Sequence, residues 1–134
     1  MEQRSLEEME NDFWPDAPQY PSGLIRRCHE FRKIPVSKLN GNQLNTLIGQ
    51  RIGLALILEP AIRLLEKNFL EDADLFEGCL MERVVGIPKE LWQGRENLQL
   101  RMIQAAKLQS GALMEEYGEA GYREWLQKIE GLLA

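Results

Sequence analysis

The hydrophobic positions follow a helical spacing in every long segment of the chain. The densest run lies between residues 41 and 67, where aliphatic side chains recur every three or four positions. That spacing places them on one face of a helix, so this stretch is predicted to be the central element of the fold. No long segment alternates with a period of two, and the pattern therefore predicts an all-α domain of six to seven helices without a sheet. Four positions of the central stretch are expected to be buried: Leu47, Ile48, Ile62 and Leu65.

Local signals set the boundaries of the central stretch. Asn40, followed three residues later by Gln43, forms a capping box that opens a helix. Gly53 is unfavourable in a helix interior and predicts a break. Pro60 removes a backbone donor, so the segment from residue 54 to residue 67 is expected to be either a kinked helix or two pieces. Asn68 is expected to end it.

Similar signals divide the N-terminal region. Ser5 with Glu8 is a second capping box, which predicts a short helix from about Leu6 to Asn11. The prolines between residues 15 and 21 predict an extended connector, and Ser22 can cap a helix that runs to about residue 33. Three aromatic residues are expected to pin the connector to the domain: Phe13, Trp14 and Tyr20.

The C-terminal half predicts further helices of unequal length. A short helix is expected over 79–85, another begins at Pro88, and a longer one runs from Arg95 to about Gln109. Glycines at positions 111, 118 and 121 predict a loosened region. The last helix has its apolar residues between Tyr122 and Leu133, at helical spacing.

Length and charge narrow the class of protein. A chain of 134 residues predicts one domain over 1–134, with residues 1–22 as an acidic, proline-rich segment packed on it or flexibly attached. The net charge of −5 is uneven, because acidic residues concentrate in 1–20 and 66–82 and basic residues in 24–38. An acidic surface argues against direct binding of nucleic acid and is compatible with a basic protein partner.

The sequence carries no recognisable catalytic motif. It lacks a phosphate-binding glycine loop, a zinc-protease helix and a nucleophile elbow. Cys28 and Cys79 lack zinc-ligand spacing, and His29 is the single histidine. Cys28 and His29 are adjacent, and neighbouring helical residues do not face each other. The carboxylates at 71–77 lack the order of an EF-hand. We therefore expect no enzymatic activity, no metal, no cofactor and two reduced cysteines.

Two features bear on location. The N-terminal residues are acidic and lack the apolar core of a signal peptide. The central apolar run is interrupted by charged residues and Pro60, so it is not expected to span a membrane. We therefore expect a cytoplasmic protein that does not associate with the membrane.

Ordered motifs between residues 31 and 92 resemble immunity proteins of bacterial contact-dependent growth inhibition systems. The motifs are Phe31-Arg32-Lys33-Ile34-Pro35, Leu47-Ile48-Gly49-Gln50-x-Ile52-Gly53-Leu54, Leu58-x-Pro60, Leu64-Leu65-Glu66 and Pro88-x-x-x-Trp92. The chain departs from the family at residues 76–81, where the family tends to show Tyr-Pro-Gly-Asp-Leu-Leu. Here the stretch reads Phe-Glu-Gly-Cys-Leu-Met, without the proline and the aspartate.

The resemblance implies a cytoplasmic protein that binds the C-terminal toxin domain of its cognate effector and neutralises it. Such toxins are often nucleases, which need basic surfaces to hold phosphates. The matched motifs look structural, so the toxin contact is expected on an acidic surface. We expect it at four residues between two helices: Glu71, Asp72, Asp74 and Glu77. A loop anchored at both ends loses less entropy on binding than the equally acidic N-terminal tail.

Two other possibilities remain open from the sequence. The face of the last helix around Glu116, Glu119 and Glu124 is a second candidate for the toxin contact. The chain could also be a non-enzymatic helical adaptor or regulatory module, unrelated to toxins. The sequence names neither the activity of the toxin nor the oligomeric state.

Overall fold

A computed structural model describes residues 3–15 and 22–133 of the chain. In these residues the backbone forms α-helices and no strand, apart from an isolated bridge between Ser5 and Pro35. The helices are α1 (Leu6–Glu10), α2 (Gly23–Phe31), α3 (Gly41–Gly49), α4 (Leu54–Lys67), α5 (Cys79–Val85), α6 (Lys89–Trp92), α7 (Glu96–Leu108) and α8 (Ser110–Glu130), with short 3-10 helices at Val36–Lys38 and Gly131–Leu133. The predicted all-α fold is confirmed. The described residues hold eight α-helices, against the six to seven expected.

The central stretch divides at Gly53, where the break was predicted. Gly53 has φ +62, a left-handed conformation that glycine adopts without strain. A Cβ there would also lie 2.8 Å from the side chain of Leu6, which is fully buried. Gly53 therefore both turns the chain and admits α1 to the core. Pro60 lies inside α4, which continues to Lys67 as one helix.

The core is built around α4. This helix packs against α3, α5 and α7, and α7 packs in turn against α8. The four positions predicted to be buried in the central stretch are buried: Leu47, Ile48, Ile62 and Leu65. Both predicted capping boxes are present, at Ser5 with Glu8 and at Asn40 with Gln43.

The predicted loosened region before the last helix is confirmed at Gly118 and wrong at Gly111 and Gly121. Gly118 has φ +77 and ψ 168, which interrupts the helical geometry and kinks the segment from Ser110 to Glu130, whereas Gly111 and Gly121 are helical. A glycine costs about 1 kcal/mol in a helix interior. Tertiary packing offsets that cost at Gly111, since Leu113 on the same turn is buried.

A buried arginine holds the N-terminal segment against α2. The Arg32 side chain is 1% exposed and its Nη1 donates to Glu10 at 2.5 Å. Its Nη2 donates to the backbone oxygen of Asp12, and the guanidinium lies 4.2 Å from the centre of the Trp14 ring. Charge-assisted hydrogen bonds and a cation–π contact thus meet at one side chain.

The aromatic residues of this region have different roles. Trp14 also packs edge-on against His29, with ring centroids 5.0 Å apart, so it pins the segment as expected. Phe13 is 61% exposed, and the expectation that it does the same was wrong. Tyr20 lies outside the described residues.

Candidate functional site

The four carboxylates predicted to contact a partner lie in the segment between α4 and α5, residues 68–78, which we call the acidic loop. Asp72, Asp74 and Glu77 are exposed. Glu71 is half-buried, and its carboxylate packs against Gly41, the first residue of α3. A negative charge is favourable at a helix N-terminus. The Glu71 carboxylate therefore contacts α3, whereas the other three carboxylates face solvent.

The apex of the acidic loop is held by one hydrogen bond from α3 and one within the loop. The Asn42 side chain donates to the backbone oxygen of Ala73 at 3.0 Å, and Ala73 is buried. The backbone N–H of Asp74 donates to the Asp72 carboxylate at 2.9 Å. Ala73 and Asp74 both have positive φ, an uncommon conformation for residues other than glycine. These contacts fix the backbone at the apex and the direction of the Asp72 carboxylate.

Gln109, at the junction of α7 and α8, anchors the start of the loop. Its Oε1 accepts from the backbone N–H of Phe69 at 2.6 Å, and its Nε2 donates to the backbone oxygens of Leu65 at 2.9 Å and Glu66 at 3.2 Å. One side chain thus satisfies carbonyls that the end of α4 leaves without a helical partner. This anchor was not predictable, because a glutamine at a helix junction carries no sequence signal for a partner 40 residues away.

Two large apolar side chains protrude beside the carboxylates. Leu75 is 63% exposed and Phe76 is 53% exposed. Aromatic residues are enriched in protein interfaces, so this pair is a candidate for apolar contact with a partner. This pair was not predicted, because the stretch stands out in the sequence only by its acidic residues.

The acidic loop is continuous with the second candidate face, on α8. Glu77 lies close enough to Glu116 to raise the pKa of the Glu116 carboxyl, through a shared hydrogen bond and charge repulsion. Both side chains are exposed, so a cation from a partner would relieve this repulsion. Further along α8, Glu119 pairs with Arg123 at 2.5 Å and Glu124 is exposed.

The acidic residues of the N-terminal segment are occupied within the chain. Glu7 pairs with Lys33 at 3.2 Å, and Glu8 belongs to the capping box of α1. Glu10 and Asp12 contact Arg32. These carboxylates are thus compensated internally, whereas those at the apex of the acidic loop have no basic partner within the described chain.

The geometry gives no catalytic arrangement around the cysteines. Cys28 is buried, and burial raises the pKa of its thiol, which disfavours the nucleophilic thiolate. His29 directs Nδ1 toward the backbone oxygen of Pro15, 2.9 Å away. In the part of the chain that is described, no three His, Cys, Asp or Glu side chains are placed to hold a metal ion.

A comparison with protein families identifies the chain. The model of the CDI immunity proteins matches residues 8–102, which is more than half of the sequence. The chain is a CDI immunity protein. The match includes all the motifs between residues 31 and 92 that carried the resemblance, and it extends to α1 and most of α7. No curated protein and no solved structure matches the chain.

The family gives the CDI immunity protein a protein toxin as its partner, and neutralisation of that toxin as its role. Membership of this family decides against the alternative interpretation, in which the chain is a helical adaptor or regulatory module unrelated to toxins. Over residues 3–15 and 22–133, each helix is too short or too polar to cross a lipid bilayer.

Proposed function

We propose that this immunity protein neutralises a basic nuclease toxin in the cytoplasm by binding it through the acidic loop, without catalysis. Asp72, Asp74 and Glu77 are the residues proposed to contact the toxin, and Glu71 is proposed to hold the loop in position. The whole chain, residues 1–134, is proposed to act as one binding domain. The observation that carries the proposal is the exposure of uncompensated carboxylates on a loop whose backbone is fixed at both ends and at its apex.

Preorganisation favours the acidic loop over the other acidic regions. A loop that is already ordered avoids much of the entropy cost that a mobile segment pays on binding. The hydrogen bonds from Asn42 and Gln109 supply that order. The N-terminal carboxylates are already used in contacts with Arg32 and Lys33.

The negative charge of the acidic loop supports a nuclease as the toxin. A nuclease holds phosphates with Lys and Arg side chains, so its active-site surface is basic. An acidic inhibitor is attracted to such a surface, associates quickly and competes with the nucleic acid for it. The exposed Leu75 and Phe76 would add the apolar contact that gives a complex a slow dissociation rate.

Reversal of charge at the loop tests the contact. The toxin domain encoded next to the immunity gene is immobilised, and association and dissociation of the Asp72→Lys, Asp74→Lys double variant are measured at two salt concentrations. A direct contact predicts dissociation faster by at least about 30-fold, as for the loss of a charge pair buried in an interface. Loss of protection in cells that express the toxin domain should accompany it.

The control is a double variant with the same change in net charge, Glu30→Lys with Glu130→Lys. Both residues are exposed and outside the acidic loop. Glu7 and Glu8 are unsuitable because their replacement removes the Lys33 pair and the cap of α1. Wild-type kinetics in the loop variant would contradict the proposal. Slower association alone would mean that the loop attracts the toxin without touching it.

The nuclease assignment has a separate test. The purified toxin domain is incubated with plasmid DNA and with total RNA, with and without one equivalent of the immunity protein. The proposal predicts degradation of one substrate and its suppression by the immunity protein. A toxin domain that leaves both substrates intact, yet still binds the immunity protein, would remove the nuclease assignment and keep the binding surface.

A further inference from the structure

A groove with basic walls lies directly beside the acidic loop. It has a volume of about 480 Å³ and is floored by the polar side of α3. Leu24 and Arg27 from α2 line it, as do Leu75 from the acidic loop and Arg83 from α5. Its polar lining includes Asn42, Asn45, Thr46 and Gln50. The groove therefore combines hydrogen-bonding groups, two guanidinium groups and two aliphatic side chains.

The two arginines have no carboxylate partner. No Asp or Glu oxygen of the described residues lies within 4.0 Å of the side-chain nitrogens of Arg27 or Arg83. By contrast, Arg32, Arg63 and Arg101 each form an ion pair within the chain. The fold thus satisfies these three arginines internally and leaves the two at the groove available to a partner.

The position of Arg83 depends on a glycine in a matched family motif. A Cβ at Gly49 would lie 3.0 Å from Nη1 of Arg83, so the guanidinium lies against the backbone at the end of α3. The C-terminal end of a helix carries partial negative charge, which favours a cation there. The group that lies against the Gly49 backbone is thus a side chain from α5.

We propose that the groove receives a carboxylate-bearing segment of the toxin, with Arg27 and Arg83 as its ion-pair partners and Leu75 as an apolar wall. The inference deepens the proposed function, since it adds a second contact with the same toxin next to the acidic loop. Planar guanidinium groups bind carboxylates in a two-pronged geometry, and arginine is enriched in protein interfaces.

The surroundings favour a protein carboxylate over nucleic acid. Asp72 and Asp74 flank Ala73, whose backbone oxygen accepts a hydrogen bond from Asn42 of the groove lining, and Glu82 precedes Arg83 on α5. These carboxylates would repel an extended polyanion. A single acidic side chain on a toxin segment can enter between these charges. The exposed Leu75 and Phe76 then cover apolar groups of the same segment. The interface would be of mixed sign, with an acidic loop against basic toxin residues and a basic groove against acidic ones.

The test is reversal of charge in the groove, Arg27→Glu with Arg83→Glu, measured with the purified toxin domain. The inference predicts a Kd raised by at least about 30-fold, mainly through faster dissociation. The matched control is Arg26→Glu with Lys107→Glu, which changes the net charge equally at exposed positions that do not line the groove. It should change Kd by less than about 3-fold, as expected for screened charges outside an interface. Equal effects of the two double variants would overturn the inference.

A second variant tests whether weaker toxin binding could result from a destabilised protein. Gly49→Ala keeps both charges and should hold or raise the melting temperature, because alanine favours a helix over glycine. Its methyl group would displace the Arg83 guanidinium, and we expect weaker toxin binding. Wild-type affinity in Gly49→Ala, with wild-type affinity in the charge-reversal variant, would overturn the inference.

Two further readouts identify the ligand and separate the two proposals. Reversal of individual Asp and Glu residues in the toxin to Lys should find one that restores binding to Arg83→Glu. A fluorescein-labelled DNA or RNA oligonucleotide that binds the wild type and not the groove variant would overturn the protein assignment. If the groove variant binds normally while the Asp72→Lys, Asp74→Lys variant does not, the groove inference fails and the proposed function stands. The reverse result would remove the loop contact and keep the groove.

Discussion

Replacement of Gln109 by alanine should destabilise the protein more than its position at a helix junction suggests. The substitution removes three hydrogen bonds, to the backbone of Leu65, Glu66 and Phe69. The Phe69 side chain is fully buried, so its N–H is poorly placed to recover a water partner, and an unsatisfied group of this kind costs about 1–3 kcal/mol. The Leu65 carbonyl adds about 1 kcal/mol and the more exposed Glu66 carbonyl adds little. The expected loss in free energy of unfolding is about 2–4 kcal/mol.

Urea denaturation followed by circular dichroism measures this loss, with Gln104→Ala on the exposed side of α7 as the control. The control should change the free energy of unfolding by less than about 0.5 kcal/mol. Amide hydrogen exchange at Phe69 should accelerate in Gln109→Ala and not in the control. Near-wild-type stability together with an unchanged exchange rate would refute the role assigned to Gln109.

Three further predictions concern stability and the thiols. Ile62→Ala in the core of α4 should cost about 2–5 kcal/mol in urea denaturation, and a loss near zero would contradict its packing. Arg101→Met should lower the free energy of unfolding at pH 7 by only about 1 kcal/mol, because the ion pair of Arg101 with Glu66 is partly exposed to solvent. Arg101 holds the pKa of Glu66 below its usual value of 4.5, so this stabilisation is complete above pH 4.5 and the difference from wild type should shrink below it. Cys28 and Cys79 should both alkylate slowly in the native protein and quickly in urea, since burial raises both thiol pKa values, and an intact disulfide in freshly quenched cytosol would contradict this.

Features encoded by neighbouring residues were predictable from the sequence. The capping boxes at Ser5 and Asn40 need a partner only three residues away, and both are present. The break at Gly53 and the buried face of α4 follow from backbone preference and periodicity. The placement of Asp72 and Asp74 on an exposed loop likewise follows from a polar run between two helices.

Features that depend on distant residues were not predictable. Gln109 anchors the loop across 40 residues, and a single sequence has no pattern for such a partner. The Arg83 side chain reaches Gly49 only because α5 packs on α3. Gly111 is unfavourable in a helix, yet tertiary packing keeps the chain helical at that residue. In each case the packing of two helices decides the local structure.

Chemical labelling of carboxylates tests the central claim most directly. The immunity protein, alone and in complex with the toxin domain, is treated with a carbodiimide and glycine ethyl ester, and the modified Asp and Glu residues are located by mass spectrometry. We predict that Asp72, Asp74 and Glu77 are modified in the free protein and protected in the complex, while Glu30 and Glu130 are modified equally in both. Equal labelling of the three loop carboxylates with and without toxin, with protection found elsewhere, would contradict the assignment of the acidic loop as the toxin contact.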